Sequence, residues 1–94
     1  MTIQQQFEVF HNINPWVYTD LVQLARQAKA TGRRTFGIKS LYEVVRWNRF
    51  IQTTDPNDDS WKLNNNYHSR YARLIMDQEP DLKGFFNVRE LKAA

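Results

Sequence analysis

Apolar positions recur along this chain mainly at helical spacing. Ile3, Phe7 and Phe10, with Val9 beside them, predict a short first helix over residues 3–11. Asn14-Pro15 opens a firmer element, because Asn favours the N-cap and Pro the first helical position. Val17, Leu21, Leu24, Ala25 and Ala28 then form one apolar face. Gly32 reads as the stop, one residue past the helix end. Ile38, Leu41, Val44, Val45 and Asn48 mark a further amphipathic helix over 38–50. With the Arg33-to-Gly37 connector before it, this pair resembles a helix-turn-helix.

The pattern then changes. Phe50-Ile51-Gln52-Thr53-Thr54 is rich in β-formers, Asp55 to Ser60 is a turn sequence, and Trp61-Lys62-Leu63 reads as a return strand. Residues 50–63 are therefore predicted as a β-hairpin, or wing. Asn64-Asn65-Asn66 supplies caps for a helix over 66–79 with Tyr67, Tyr71, Leu74 and Ile75 on its apolar face, and Pro80 ends it. Residues 81–84 make one further turn, and Phe85, Phe86, Val88 and Leu91 fold back on the core. The expected fold is mainly α: a single domain over 1–94, with three or four helices and one short hairpin, winged-helix-like.

Composition narrows the function. The chain has 94 residues, 41% of them hydrophobic and 14% aromatic, which is globular rather than disordered. It has no cysteine, so disulfides and thiolate metal sites are excluded. The first residues form no signal peptide, and no apolar run reaches the ~20 residues of a membrane span. A cytoplasmic protein is expected. The net charge is +3, which permits a polyanionic partner without requiring one.

Candidate chemistry is sparse. Asp55-x-Asn57-x-Asp59 begins like a calcium loop, but Ser60 stands where Gly is needed and Asn66 where a bidentate Glu is needed. His11 and His68 are the only histidines, too few for zinc without Cys. His68 and Ser69 are adjacent, so on a helix they diverge by about 100° and make a poor base–nucleophile pair. No phosphate loop or hydrolase motif is present, so neither enzyme nor cofactor is expected.

Basic residues offer more. Opposite the apolar face of 66–77 lie Asn66, Ser69, Arg70 and Arg73, with Asn65 just before, a set suited to phosphates and base edges. The bland alternative is a solvated face pairing with Asp77 or Glu79. The outward arc of 38–50 is read as Lys39, Glu43, Arg46 and Trp47, flanked by Arg49 and preceded by Arg33 and Arg34. Glu43 and the three Asp of the turn oppose a phosphate contact there. Trp16, Trp47 and Trp61 read as core anchors, with Trp47, at the edge of its apolar face, the exception suited to an interface.

Phe10-His11, Asn14-Pro15, Val17-Tyr18, Leu21, Leu24-Ala25 and Gly32 form part of a longer pattern. It continues through Glu43-Val44-Val45-Arg46-Trp47, Lys62-Leu63-Asn64-Asn65, Tyr71-Ala72-Arg73-Leu74-Ile75-Met76 and Phe86. This pattern resembles a family of short bacteriophage and prophage proteins, some described as helix-turn-helix-like. The resemblance implies expression inside a bacterial host cell and a role in phage gene control or host takeover. It brings no catalytic residues with it.

Two functions follow as expectations. The first is a nucleic-acid-binding module, for double-stranded DNA, using Arg33, Arg34, Lys39, Arg46, Arg49, Asn65, Asn66, Ser69, Arg70 and Arg73. The second is an inhibitor or adaptor that binds a host protein through Trp47, Phe85 and Phe86 and the acidic loop 55–59. A homodimer is compatible with both, and no membrane partner is expected.

Overall fold

The computed structural model describes residues 1–57 and 64–86. Among these residues four α-helices carry the fold: α1 (Ile3–Ile13), α2 (Pro15–Ala30), α3 (Ile38–Gln52) and α4 (His68–Gln78). Single 3-10 turns, Asn65–Tyr67 and Pro80–Leu82, lead into and out of α4.

Local sequence explains most boundaries. Thr2 and Gln5 form a reciprocal capping box: the Gln5 amide donates to the Thr2 hydroxyl at 3.1 Å, and the Thr2 amide donates to Gln5 Oε1 at 2.9 Å. Asn14 separates α1 from α2 without capping α2 by its side chain. Its Nδ2 and its backbone amide both donate to the Phe10 carbonyl, so it closes α1, while Pro15 starts α2. Gly32 follows the end of α2 at φ +94°, where a side chain would be strained, and its amide donates to the Lys29 carbonyl. The Asn64 side chain accepts from the Asn66 amide, which caps the turn into α4.

The predicted hairpin is overturned. Phe50, Ile51 and Gln52 form the last turn of α3, so the wing's first strand does not exist. The β propensity of Phe and Ile yields to continuation of a helix already nucleated upstream, where each added residue gains a hydrogen bond. The return strand, Trp61-Lys62-Leu63, lies outside the described residues, as do Val88 and Leu91. Among the described residues there is no strand, only an isolated parallel bridge between Phe36 and Phe86. The described fold is all-α and not winged.

The core is one cluster fed by all four helices. Phe7 comes from α1; Val17, Leu21, Val22 and Ala25 from α2; Ile38, Leu41, Tyr42 and Val45 from α3; Tyr71, Ala72 and Ile75 from α4. Tyr67, Leu82, Phe85 and Phe86 close it from the flanking turns. Val44, expected on the inward face, is exposed, and Tyr42 is fully buried there. Burial pushes the hydroxyls of Tyr42 and Tyr71 well above the usual tyrosine value, so both stay neutral.

The two tyrosines differ in one testable respect. Tyr42 donates its hydroxyl to the Asn64 carbonyl at 2.7 Å. The Tyr71 hydroxyl finds no hydrogen-bond partner among the described residues. Tyr42→Phe is therefore expected to cost about 1 kcal/mol in urea denaturation, whereas Tyr71→Phe is neutral or stabilising. A loss of similar size in Tyr71→Phe would contradict this assignment.

Candidate interaction surfaces

The ten residues expected to contact nucleic acid are not brought onto one surface. Arg33 and Arg34 lie exposed in the connector 31–37, and Lys39 in the first turn of α3. The Arg33 guanidinium sits 5.5 Å over the Phe36 ring. The N-cap of α3, Gly37, makes no side-chain cap bond, and neither α3 nor α4 has an acidic residue in its first turn. At this end of α3 the first-turn amides and the helix dipole add to the side-chain charges.

Arg46 and Arg49 point elsewhere and are half-buried. Arg46 pairs with Glu43 at 2.7 Å and packs over Tyr42, on the flank of α3 toward α4. Arg49 lies 4.9 Å over the Trp16 ring at the start of α2. There it also favours the charged form of Asp20, whose carboxyl burial raises above the usual range.

On α4, Ser69, Arg70 and Arg73 are half-buried rather than displayed. Arg70 donates to Gln4 Oε1 at 3.2 Å and to the Asn66 carbonyl at 3.3 Å, which ties α1 to α4. Arg70, Arg73 and Asp77 line a groove with Gln4 of α1. Asn65 and Asn66 belong to the 3-10 turn before α4.

Glu79 is claimed from another direction. It accepts from Tyr18 at 2.9 Å and from Arg26 at 2.8 Å, while Arg26 also meets Asp81 at 3.0 Å and Lys29 donates to the Asp81 carbonyl. This clasp between α2 and the turn after α4 was not legible in sequence, since its partners lie 53 and 55 positions from Arg26. Burial, then the bond to Glu79, raises the Tyr18 hydroxyl to about 12. The bonds from Arg26 hold the Asp81 carboxyl below its usual value.

Of the three residues expected at a protein interface, Phe85 and Phe86 are buried. They serve the core, through the Phe36–Phe86 bridge and the bond from the Phe36 amide to the Phe85 carbonyl at 2.9 Å. That corrects their placement on a contact surface. Trp47 is 60% exposed. It lies in the middle of α3's outward face, not at the edge of the inward one. Three neighbours share that exposure: Val44 at 40%, Phe50 at 45% and Ile51 at 59%. The Trp47 and Phe50 rings lie 5.5 Å apart. They line a shallow hollow of about 250 Å³ whose rim includes Glu43 and Arg46. Assigning 50–52 to a strand had hidden this face; extending the 38–50 wheel by two residues reveals it.

Comparison with protein-family models, with curated proteins and with solved structures found no match to this chain. Among the described residues no group of three metal-ligating side chains converges, and no helix is long and apolar enough to cross a membrane.

His68 gives this region a pH handle. Burial, then the nearby Lys39 cation, pushes its pKa below the ordinary 6.5, with Glu43 partly opposing. The unfolded chain therefore binds this proton more tightly, and stability falls as pH drops below about 6.5. Thermal unfolding at pH 7 and pH 5 is expected to show a smaller fall for His68→Gln than for the unaltered chain. An equal fall in both would remove His68 from the account.

Proposed function

We propose that this protein is a non-enzymatic binding module that works through protein contact on the outward face of α3. One observation carries the reading: Val44, Trp47, Phe50 and Ile51 are all substantially exposed on one helix. The largest exposed apolar patch of a small protein, typically a few hundred Å², is often its functional surface. Trp is the residue type most enriched at the energetic centres of such sites. A helix that reads DNA needs donors and acceptors on its outward face; here that face is apolar and its arginines are turned to the flanks.

Trp47→Ala with Phe50→Ala tests this. A tagged copy, made in cells that also hold an untagged copy, is expected to retain a protein in fixed stoichiometry. The double variant should weaken that retention by about thirtyfold, the effect of losing one strong anchor. Arg33→Ala with Arg34→Ala should leave it unchanged. Retention that ignores Trp47, or no retention at all, would sink the proposal.

A second reading, nucleic-acid binding, is favoured by Arg33, Arg34 and Lys39 around the uncapped start of α3. It predicts binding to a labelled duplex that weakens about a hundredfold between roughly 50 and 200 mM salt, and that is lost in Arg33→Ala, Arg34→Ala. Fluorescence anisotropy decides it: no binding at the lower salt rejects this reading.

A further inference from the structure

We infer that the protein seated on the outward face of α3 is a second copy of this chain, in a two-fold, antiparallel α3–α3 pair. This rests on the protein-contact reading above and names its partner.

The spacing is the first argument. Val44, Trp47 and Ile51 fall at i, i+3 and i+7, the spacing of one seam between two packed helices. A two-fold axis beside Trp47 sets Val44 of each copy against Ile51 of the other, and the two Trp47 side chains against one another. The smallest member of the seam thus meets a larger one, and the match is made twice by one pairing, as an isologous interface requires.

Area is the second argument. With these exposures, the four side chains offer about 400 Å² of apolar surface per copy. Homodimer interfaces are about 65% apolar, so complete burial of this patch corresponds to at most roughly 600 Å² per copy and about 1,200 Å² in all. That reaches the lower bound of stable interfaces.

Charge and shape agree. Each Glu43 is already neutralised by Arg46 of its own helix at 2.7 Å, so the two-fold sets no uncompensated like charges against each other. No lysine lies between Val44 and Ile51. The hollow beside Trp47 and Phe50 has room for a large side chain, which the partner's Trp47 supplies.

The chain contains no cysteine, so single introduced cysteines report the geometry without interference. Sedimentation across a concentration series, from about 1 to 100 μM, is expected to show a monomer–dimer equilibrium. Trp47→Asp, and independently Val44→Asp, should raise the dissociation constant at least tenfold while leaving the helical circular dichroism unchanged. Under mild oxidation, a mixture of Val44→Cys and Ile51→Cys copies should form the mixed disulfide in preference to either symmetric one. A dimer indifferent to both Asp variants, or a preference for the symmetric disulfides, overturns the pairing. A chain that stays monomeric but retains another protein through Trp47 overturns the second copy and keeps the protein-contact reading. A monomer with no Trp47-dependent partner overturns both.

Discussion

The packing around Tyr71 is the contact on which the arrangement of helices depends. Its fully buried ring meets Phe7 edge-on at 4.8 Å, His11 at 5.7 Å and Tyr42 at 6.3 Å, joining α1, α3 and α4 through one side chain. An isolated helix of eleven residues is marginal in water, so α1 owes its structure to this docking more than to its own hydrogen bonds. Phe7 and Phe10 also pack on Tyr67, so the turn into α4 is fixed by the same cluster. Aromatic pairs in tilted and edge-on geometry add stabilisation beyond the area they bury. In a chain of 94 residues, with little core to spare, that surplus matters.

A second tie, polar and at the surface, sets how charge is distributed. Arg26, Lys29 and Tyr18 of α2 draw in Glu79 and Asp81 after α4. These acids are thereby turned away from Arg70 and Arg73, which face Gln4 and Asp77 in the groove against α1. Arg46 is occupied by Glu43, and Arg49 by Trp16. A basic total charge thus resolves into local partnerships on several sides of the molecule. Each exposed pair contributes little to stability. Together they disperse the field that a phosphate backbone would need to find concentrated.

What was legible in the sequence was what is decided locally. Pro15, Gly32 and Pro80 mark helix ends because their backbones leave few alternatives, and the 3.6-residue period placed all four helices. What failed was decided at a distance or by phase. Phe50 and Ile51 look like strand residues, yet a helix arriving from Ile38 carries them one turn further. The sequence pattern puts Val44 on the inward face of the 38–50 helix and leaves Tyr42 out of the core. The structure puts Tyr42 inside instead, because it shares the inward arc with Ile38 and Val45 and can donate to Asn64. Phe85 and Phe86 were expected both to return to the core and to display themselves. Only the pairing with Phe36, some fifty residues earlier, decides between the two.

The same phase error hid the surface that now matters most. α3 carries one apolar arc inward, through Ile38, Leu41, Tyr42 and Val45, and a second outward, through Val44, Trp47 and Ile51. A helix with one apolar stripe belongs at the edge of a small domain; one apolar on nearly opposite sides belongs at the centre of something larger. Among the described residues, α2 and α4 pack against α3 and share the core with its inner arc. Keeping Trp47 and Ile51 in water carries a penalty proportional to their exposed area, which any apolar partner would remove. The outer arc is thus physically intelligible as half of an interface. Since spacing and flanking charges permit it to be its own complement, α3 has the makings of a central helix of a two-chain unit.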